Sequence, residues 1–276
     1  GDVMKNLLEV INETSSYIKE KIDFIPQIGL ILGSGLGTLA NEIENAIIFD
    51  YKDIPNFLTT TVESHAGRLI LGELNGKKVV CMSGRFHYYE GYDFEQLVIP
   101  IRVLRLLGVE IVILTNAAGA VNTSYKPGEI MIIKDQIKFM GASPVRGKNI
   151  DEFGPRFFDM SRVYTKDYRE LAKKAAEKLN IKVNEGIYFY WPGPQFESPS
   201  EVRAIRILGG DAVGMSTVTE AITAAHCGMK VIGLSLLTNM AAGILDQPLT
   251  TDEVDEIAEK HAKEFKALLR EILGEM

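Results

Sequence analysis

Gln27-Ile28-Gly29-Leu30-Ile31-Leu32 is a short, nearly continuous apolar run, and Gly33-Ser34-Gly35-Leu36-Gly37 follows it directly. A run that is apolar at both odd and even positions fits a strand buried on both faces, as in a sheet covered by helices. The glycines then fit a sharp exit from that strand. The same strand pattern recurs at Lys78–Met82, Val109–Leu114, Glu129–Ile133 and Val231–Leu237. Between these runs the apolar period changes to that of a helix at Phe94–Leu107, Tyr164–Leu179, Pro199–Leu208, Val218–Cys227 and Asp252–Leu273. A further amphipathic helix is predicted over Met4–Ile22. Ser198-Pro199-Ser200-Glu201 has the form of a capping box with Pro at the first helical position. Alternating strands and helices define an α/β fold. With no repeat and no linker-like break, the whole chain, 1–276, is expected to form a single domain with a mixed central β-sheet flanked by helices.

Composition narrows the function. Lys and Arg total 30 against 37 Asp and Glu, a formal net charge of −7, which argues against a general nucleic-acid binder. A single basic pocket can still hold an anion within an acidic protein. Cys81 and Cys227 form no C-x-x-C pair, so neither a zinc site nor a disulfide framework is expected. Two buried thiols fit a reducing, cytoplasmic setting. No apolar stretch is long enough to span a membrane, no signal-peptide pattern is evident, and Gly1 in place of Met suggests a processed start.

The candidate site residues cluster after the strands. Gly33–Gly37 is either a tight turn or an anion cradle; it lacks the third Gly of G-x-G-x-x-G and the Lys of a P-loop. In Ser83-Gly84-Arg85-Phe86-His87-Tyr88-Tyr89, Arg85 and His87 stand two apart. On extended backbone they share a side, and Arg supplies a fork suited to phosphate. Thr115-Asn116-Ala117-Ala118-Gly119 has small side chains after a strand, which lets backbone N–H groups approach a ligand. Gly214-Met215-Ser216-Thr217 is expected to offer the Ser216 hydroxyl and N–H at a helix start. Phe196 can stack on a planar ring, Glu197 can accept from ring N–H groups, and the Asn239 amide can both donate and accept. His65, in Glu63-Ser64-His65-Ala66-Gly67, lies in a polar stretch able to approach an anion. His261 and His226 read as core or interface histidines. Gly141–Met160 reads as a long loop, and loops of that length inside a domain are often functional. The ends of open α/β strands are where such folds bind ligands.

Taken in order, Gly33–Gly37, Ser64–Gly67, Gly84–Tyr92, Thr115–Gly119, Gly193–Glu197, Asp211–Val218 and Ser235–Asn239 resemble the trimeric purine nucleoside phosphorylase family over essentially the whole chain. The resemblance implies that phosphate and a purine nucleoside react to give free purine and a pentose 1-phosphate. It implies phosphate binding by Ser34, Arg85, His87, the Ala117 N–H and Ser216, with His65 beside them. Tyr89 and Met215 would hold the pentose, and Phe196, Glu197, Val213 and Asn239 the purine. Phe157 would reach a neighbouring subunit's sugar site in a homotrimer. His65, Glu197 and Asn239 are the residues expected to act in the reaction. Inorganic phosphate is the co-substrate; no metal or other cofactor, nucleic acid or membrane is expected. One departure stands out: the family commonly has a His near the start of the last helix, and Thr251 occupies that place. That leans toward a methylthioadenosine phosphorylase, whereas Glu197 with Asn239 leans toward inosine and guanosine. A non-catalytic phosphate- or nucleotide-binding module is the reading from outside the enzyme class.

Overall fold

The computed structural model describes residues 6–59 and 67–276. The elements are α1 (Leu7–Lys19), β1 (Ile28–Leu32), β2 (Glu44–Asp50), β3 (Arg68–Leu74), β4 (Lys77–Ser83), α2 (Phe94–Leu97), α3 (Ile99–Leu107), β5 (Ile111–Ala120) and β6 (Ile130–Ile137). They continue as α4 (Lys166–Lys178), β7 (Val183–Tyr190), α5 (Pro199–Ile207), β8 (Ala212–Gly214), α6 (Val218–His226), β9 (Lys230–Met240) and α7 (Thr251–Glu275). All nine strands join one mixed sheet in the order β2-β3-β4-β1-β5-β8-β7-β6-β9. β9 also pairs with β5, so β5, β8, β7, β6 and β9 close into a ring at one end of the sheet.

Every residue of β1 is buried, as its unbroken apolar run requires. It lies parallel between β4 and β5, so the chain's first strand becomes a central one. α1, α3 and α6 bury their apolar stripes in one large cluster that includes Ile11, Ile18, Leu104, Val218 and Ala221. Ala172, Ala175 and Ala176 of α4 pack with Phe265, Leu268 and Leu269 of α7 in a second cluster. A sheet so covered on both faces leaves its strand ends as the accessible place for chemistry.

Several expected boundaries shift for identifiable reasons. The helix expected over 94–107 is two helices, broken at Val98, because Pro100 falls in the first turn of α3 and lacks the N–H to continue α2. Gly33–Gly37 leads into a short 3-10 turn, Gly37–Glu42, so no α-helix begins directly after that loop. Thr115–Ala120 lies inside β5, where a segment after a shorter strand is expected, and Ser235–Asn239 closes β9 as expected, with the strand running on to Met240. β2, β3 and β7 went unread. For β3 and β4 the signal was present: Asn75-Gly76 joins them with φ of 49° and 76°, the two-residue left-handed turn that an Asn-Gly pair favours.

Candidate active site

A cavity of about 520 Å³ opens where β1, β4 and β9 end, and the edge of β5 forms one wall. Ser34, Arg85, His87, Ala117 and Ser216 line one part of it; Phe196, Glu197, Val213 and Asn239 line another; Tyr89 and Met215 are also in the wall. Thr251, Val254 and Asp255 of the first turn of α7 contribute as well. Sequence reasoning passed over the last two. His65 lies outside the described residues. Phe157 is not among the residues that line this cavity. It is 90% exposed on the loop between β6 and α4.

The anion end is built around Arg85, which is 2% exposed. Its Nη2 donates to Glu220 Oε1 at 2.8 Å, and its Nη1 donates to the Thr115 carbonyl. A buried guanidinium needs such partners, because an uncompensated charge at that depth costs several kcal/mol. Glu220 also accepts from the Thr217 N–H at 3.2 Å and forms a capping box for α6. One carboxylate therefore ties the cation to the start of a helix. His87 Nδ1 lies 3.1 Å from Glu90 Oε2, and its ring stacks on Tyr89 with centroids 4.6 Å apart. The Tyr51 hydroxyl donates to the Gly84 carbonyl at 2.6 Å, which fixes the turn that carries Arg85.

Thr217 occupies φ 74°, ψ −50°, and the Val218 N–H donates to the Ser216 carbonyl at 2.8 Å. This is a γ-turn of the rare, strained kind. Such a conformation costs about 1–3 kcal/mol for a branched residue and persists only when its surroundings impose it. Here Asn116 Nδ2 donates to Thr217 Oγ1 at 2.9 Å, and the Ser216 hydroxyl lies 2.9 Å from the same oxygen. The turn sets Ser216 in the cavity wall. One detail corrects the sequence reading: the Ser216 N–H donates to the Tyr188 hydroxyl at 3.2 Å, leaving the side chain as the group available to a ligand. Gly214 is required nearby, since a Cβ there would collide with that hydroxyl.

The edge of β5 supplies the remaining donor. β1 pairs with β5 only as far as Leu114, and β8 begins opposite Gly119, so Thr115–Ala118 has a strand on one side only, β9. The Thr115 carbonyl points across the open edge to Arg85. Alternate residues of a strand direct their backbone groups to the same edge, so the Ala117 N–H points there too.

The base end is differently made. Glu197 is buried, and burial pushes its carboxyl pKa up to about 7. Asn239 sits at a bulge where Ala118 pairs with Leu237 but Gly119 pairs with Asn239. The extra residue, Thr238, re-aims the strand, as bulges beside active sites do. Thr238 Oγ1 donates to Asn239 Oδ1 at 3.0 Å, and Asn239 Nδ2 donates to the Met240 carbonyl at 3.1 Å, leaving an amide hydrogen for a ligand. Gly119 keeps space for that amide: a Cβ would lie 3.3 Å from Nδ2.

Glu220, Thr217 and Asn116 are the supporting residues the sequence reading missed. The signal for the first two was the spacing Thr217-x-x-Glu220, a capping box. Nothing in the sequence pairs Arg85 with a residue so distant.

This geometry belongs to a known class: the chain matches the Phosphorylase superfamily over residues 27–274 and is a member of it. It is 54% identical to purine nucleoside phosphorylase 1 of Geobacillus stearothermophilus over 96% of this chain and 97% of that protein. It is 52% identical to purine nucleoside phosphorylase 1 of Bacillus subtilis, over 96% of this chain and 98% of that one. Its fold superimposes on the crystal structure of Schistosoma mansoni purine nucleoside phosphorylase in complex with adenosine with a TM-score of 0.93. That pair is 38% identical over 98% of both chains.

Proposed function

We propose that this chain catalyses phosphorolysis of purine nucleosides, taking inosine and guanosine as its preferred substrates. The observation that carries the reading is that one cavity joins the Arg85, Ala117 and Ser216 donors to Glu197 and Asn239. A nucleoside bound there meets phosphate at its anomeric carbon. The phosphate oxygen forms the new C1′–O bond as the glycosidic C1′–N9 bond breaks. The bonding pair passes to the purine, which takes up a proton and leaves as the free base; the other product is pentose 1-phosphate.

The path runs through an oxocarbenium-like state. A fixed phosphate dianion beside the sugar stabilises that positive charge, and donors already in place need no reorganisation. As the purine gains electron density, the Asn239 amide donates to O6 or N7. The Glu197 carboxylate accepts from N1–H, which draws its proton equilibrium toward the ionised form. Every electron pair moves between bonds made and broken, so the reaction as proposed needs phosphate as co-substrate and no cofactor. His65 joins the phosphate, and Tyr89 and Met215 hold the pentose.

The active assembly is a homotrimer in which Phe157 serves a neighbouring copy's sugar site; its 90% exposure suits a side chain that finds its cover on another molecule. Both cysteines are buried and free, in keeping with a cytoplasmic enzyme, and no described helix is long and apolar enough to cross a membrane. A second reading, methylthioadenosine phosphorolysis, is favoured at one point: Thr251 and Val254 give the cavity wall a small hydroxyl and an apolar group. Incubation with inosine, adenosine and methylthioadenosine, each with and without phosphate, separates the readings. Fast, phosphate-dependent release of hypoxanthine from inosine is expected. Faster turnover of methylthioadenosine would reverse the order, and equal cleavage without phosphate would make the enzyme a hydrolase.

A further inference from the structure

His226 is 2% exposed, ends α6, and has no part in the chemistry above. Its ring faces the long segment between β6 and α4. Nε2 lies 3.0 Å from Asn149 Oδ1. Asn149 Nδ2 donates to Asp151 Oδ1 at 2.7 Å and to the Gly154 carbonyl at 2.9 Å. Those two bonds fix the amide's orientation, so Oδ1 is the acceptor and His226 Nε2 the donor. The imidazole therefore carries a proton on Nε2, and Nδ1, buried with no hydrogen-bond partner among the described residues, fits the neutral ring. Burial, with the Arg102 guanidinium nearby, holds the pKa below the usual histidine value, which agrees with that form.

The contacts extend along the segment. Gly154 lies flush on the end of α6, where a Cβ would collide with the His226 carbonyl. Phe153 is buried beneath the Arg102 guanidinium, 5.6 Å from its ring centroid. The Phe158 ring packs on His226 at 5.1 Å and 53°. Between these anchored residues Phe157 is the exposed large apolar side chain, and Arg156 is bonded back to the Gly147 carbonyl. The same α6 starts at Thr217, beside Ser216 of the anion end.

We propose that His226 is a positioning residue: its bond to Asn149 docks residues 149–158 on the end of α6 so that Phe157 projects toward a neighbouring copy's sugar site. The inference rests on the shared-site reading of Phe157. A loop this long would otherwise sample many conformations, and holding one of them in advance saves ordering cost when nucleoside binds. Nucleoside binding, not phosphate binding, is thus the property His226 serves.

The test is steady-state kinetics on the full-length assembled enzyme with inosine and phosphate varied separately. His226→Leu keeps bulk and loses the donor; one lost hydrogen bond is expected to raise KM for inosine about fivefold, with KM for phosphate changed less than about twofold. His226→Gln keeps a donor and should restore most of the loss. Asn149→Ala, at a partly exposed position, should reproduce the Leu effect if the buried variant folds poorly. Combined with Phe157→Ala, either change should add little beyond Phe157→Ala alone. If Phe157→Ala raises KM for inosine while His226→Leu and Asn149→Ala do not, or if the effects multiply, the positioning role is wrong. A silent Phe157→Ala overturns the shared-site reading itself, and this inference with it.

Discussion

The two ends of the cavity solve opposite problems. At the anion end a full positive charge is buried, and each supporting group is itself held: Arg85 by Glu220 and Thr115, Glu220 by the Thr217 N–H, Thr217 by Asn116. The strain at Thr217 is the cost of that rigidity. At the base end Glu197 has no ion-pair partner among the described residues, and burial, with the Glu201 carboxylate nearby, lifts its pKa to about 7. Phe196 beside it is 39% exposed. On the proposed function, phosphate would meet a preset lattice of donors, whereas the base would be read by two groups whose state can be tuned. Damage at the first end should cost phosphate binding and stability together; changes at the second should move base preference and leave phosphate alone.

The sharpest way to break that contrast is Arg85→Ala. Leaving Glu220 buried without its cation is expected to lower unfolding free energy by about 3–5 kcal/mol, read by urea denaturation. Loss of charged hydrogen bonds should cut kcat/KM about 10- to 100-fold, mostly through KM for phosphate. An equal rise in KM for inosine would show the two ends are not separate.

Asn239→Asp probes the other end. A carboxylate accepts from a 6-amino group but cannot donate to O6 or N7, so the inosine-to-adenosine ratio of kcat/KM should fall about tenfold. KM for phosphate should stay within about twofold of its original value, since the substitution touches no group at the anion end. A ratio unmoved by this substitution would remove Asn239 from base recognition.

pH probes the same end without any substitution. Glu197 must be ionised to accept from the N1–H of inosine, and its proton is lost near pH 7. Below that value the bound inosine must first displace a proton, whereas the protonated carboxyl can donate to N1 of adenine. The inosine-to-adenosine ratio should therefore rise with pH through 7 and beyond, by up to about tenfold per unit, because the two substrates draw on opposite protonation states. Taking the ratio at each pH cancels the titration of phosphate itself. A ratio that is flat across that range would mean that Glu197 does not face N1.

What the sequence made legible follows the same division. The fold's core was readable because β1 and its parallel neighbours carry unbroken apolar runs, and α7 a long apolar stripe. Arg85, Ser216 and Asn239 were readable as polar residues at strand ends, and Glu197 as one just ahead of a capped helix. β2 was not, because its exposed residues outnumber its buried ones and its pattern never alternates cleanly. Glu220 was legible only as the far end of a capping box, because its partner Arg85 is 135 residues away, a pairing only the folded sheet creates. The bulge at Thr238 and the γ-turn at Thr217 are likewise products of tertiary contacts, with no local composition to announce them.

The central claim is that phosphate and nucleoside react with each other in one cavity. Phosphorus NMR of the reaction with inosine, run beside a hypoxanthine assay, tests it most directly. One ribose 1-phosphate is expected for each hypoxanthine released, and none of either when phosphate is withheld. Hypoxanthine accompanied by free ribose, with the phosphate signal unchanged, would contradict it.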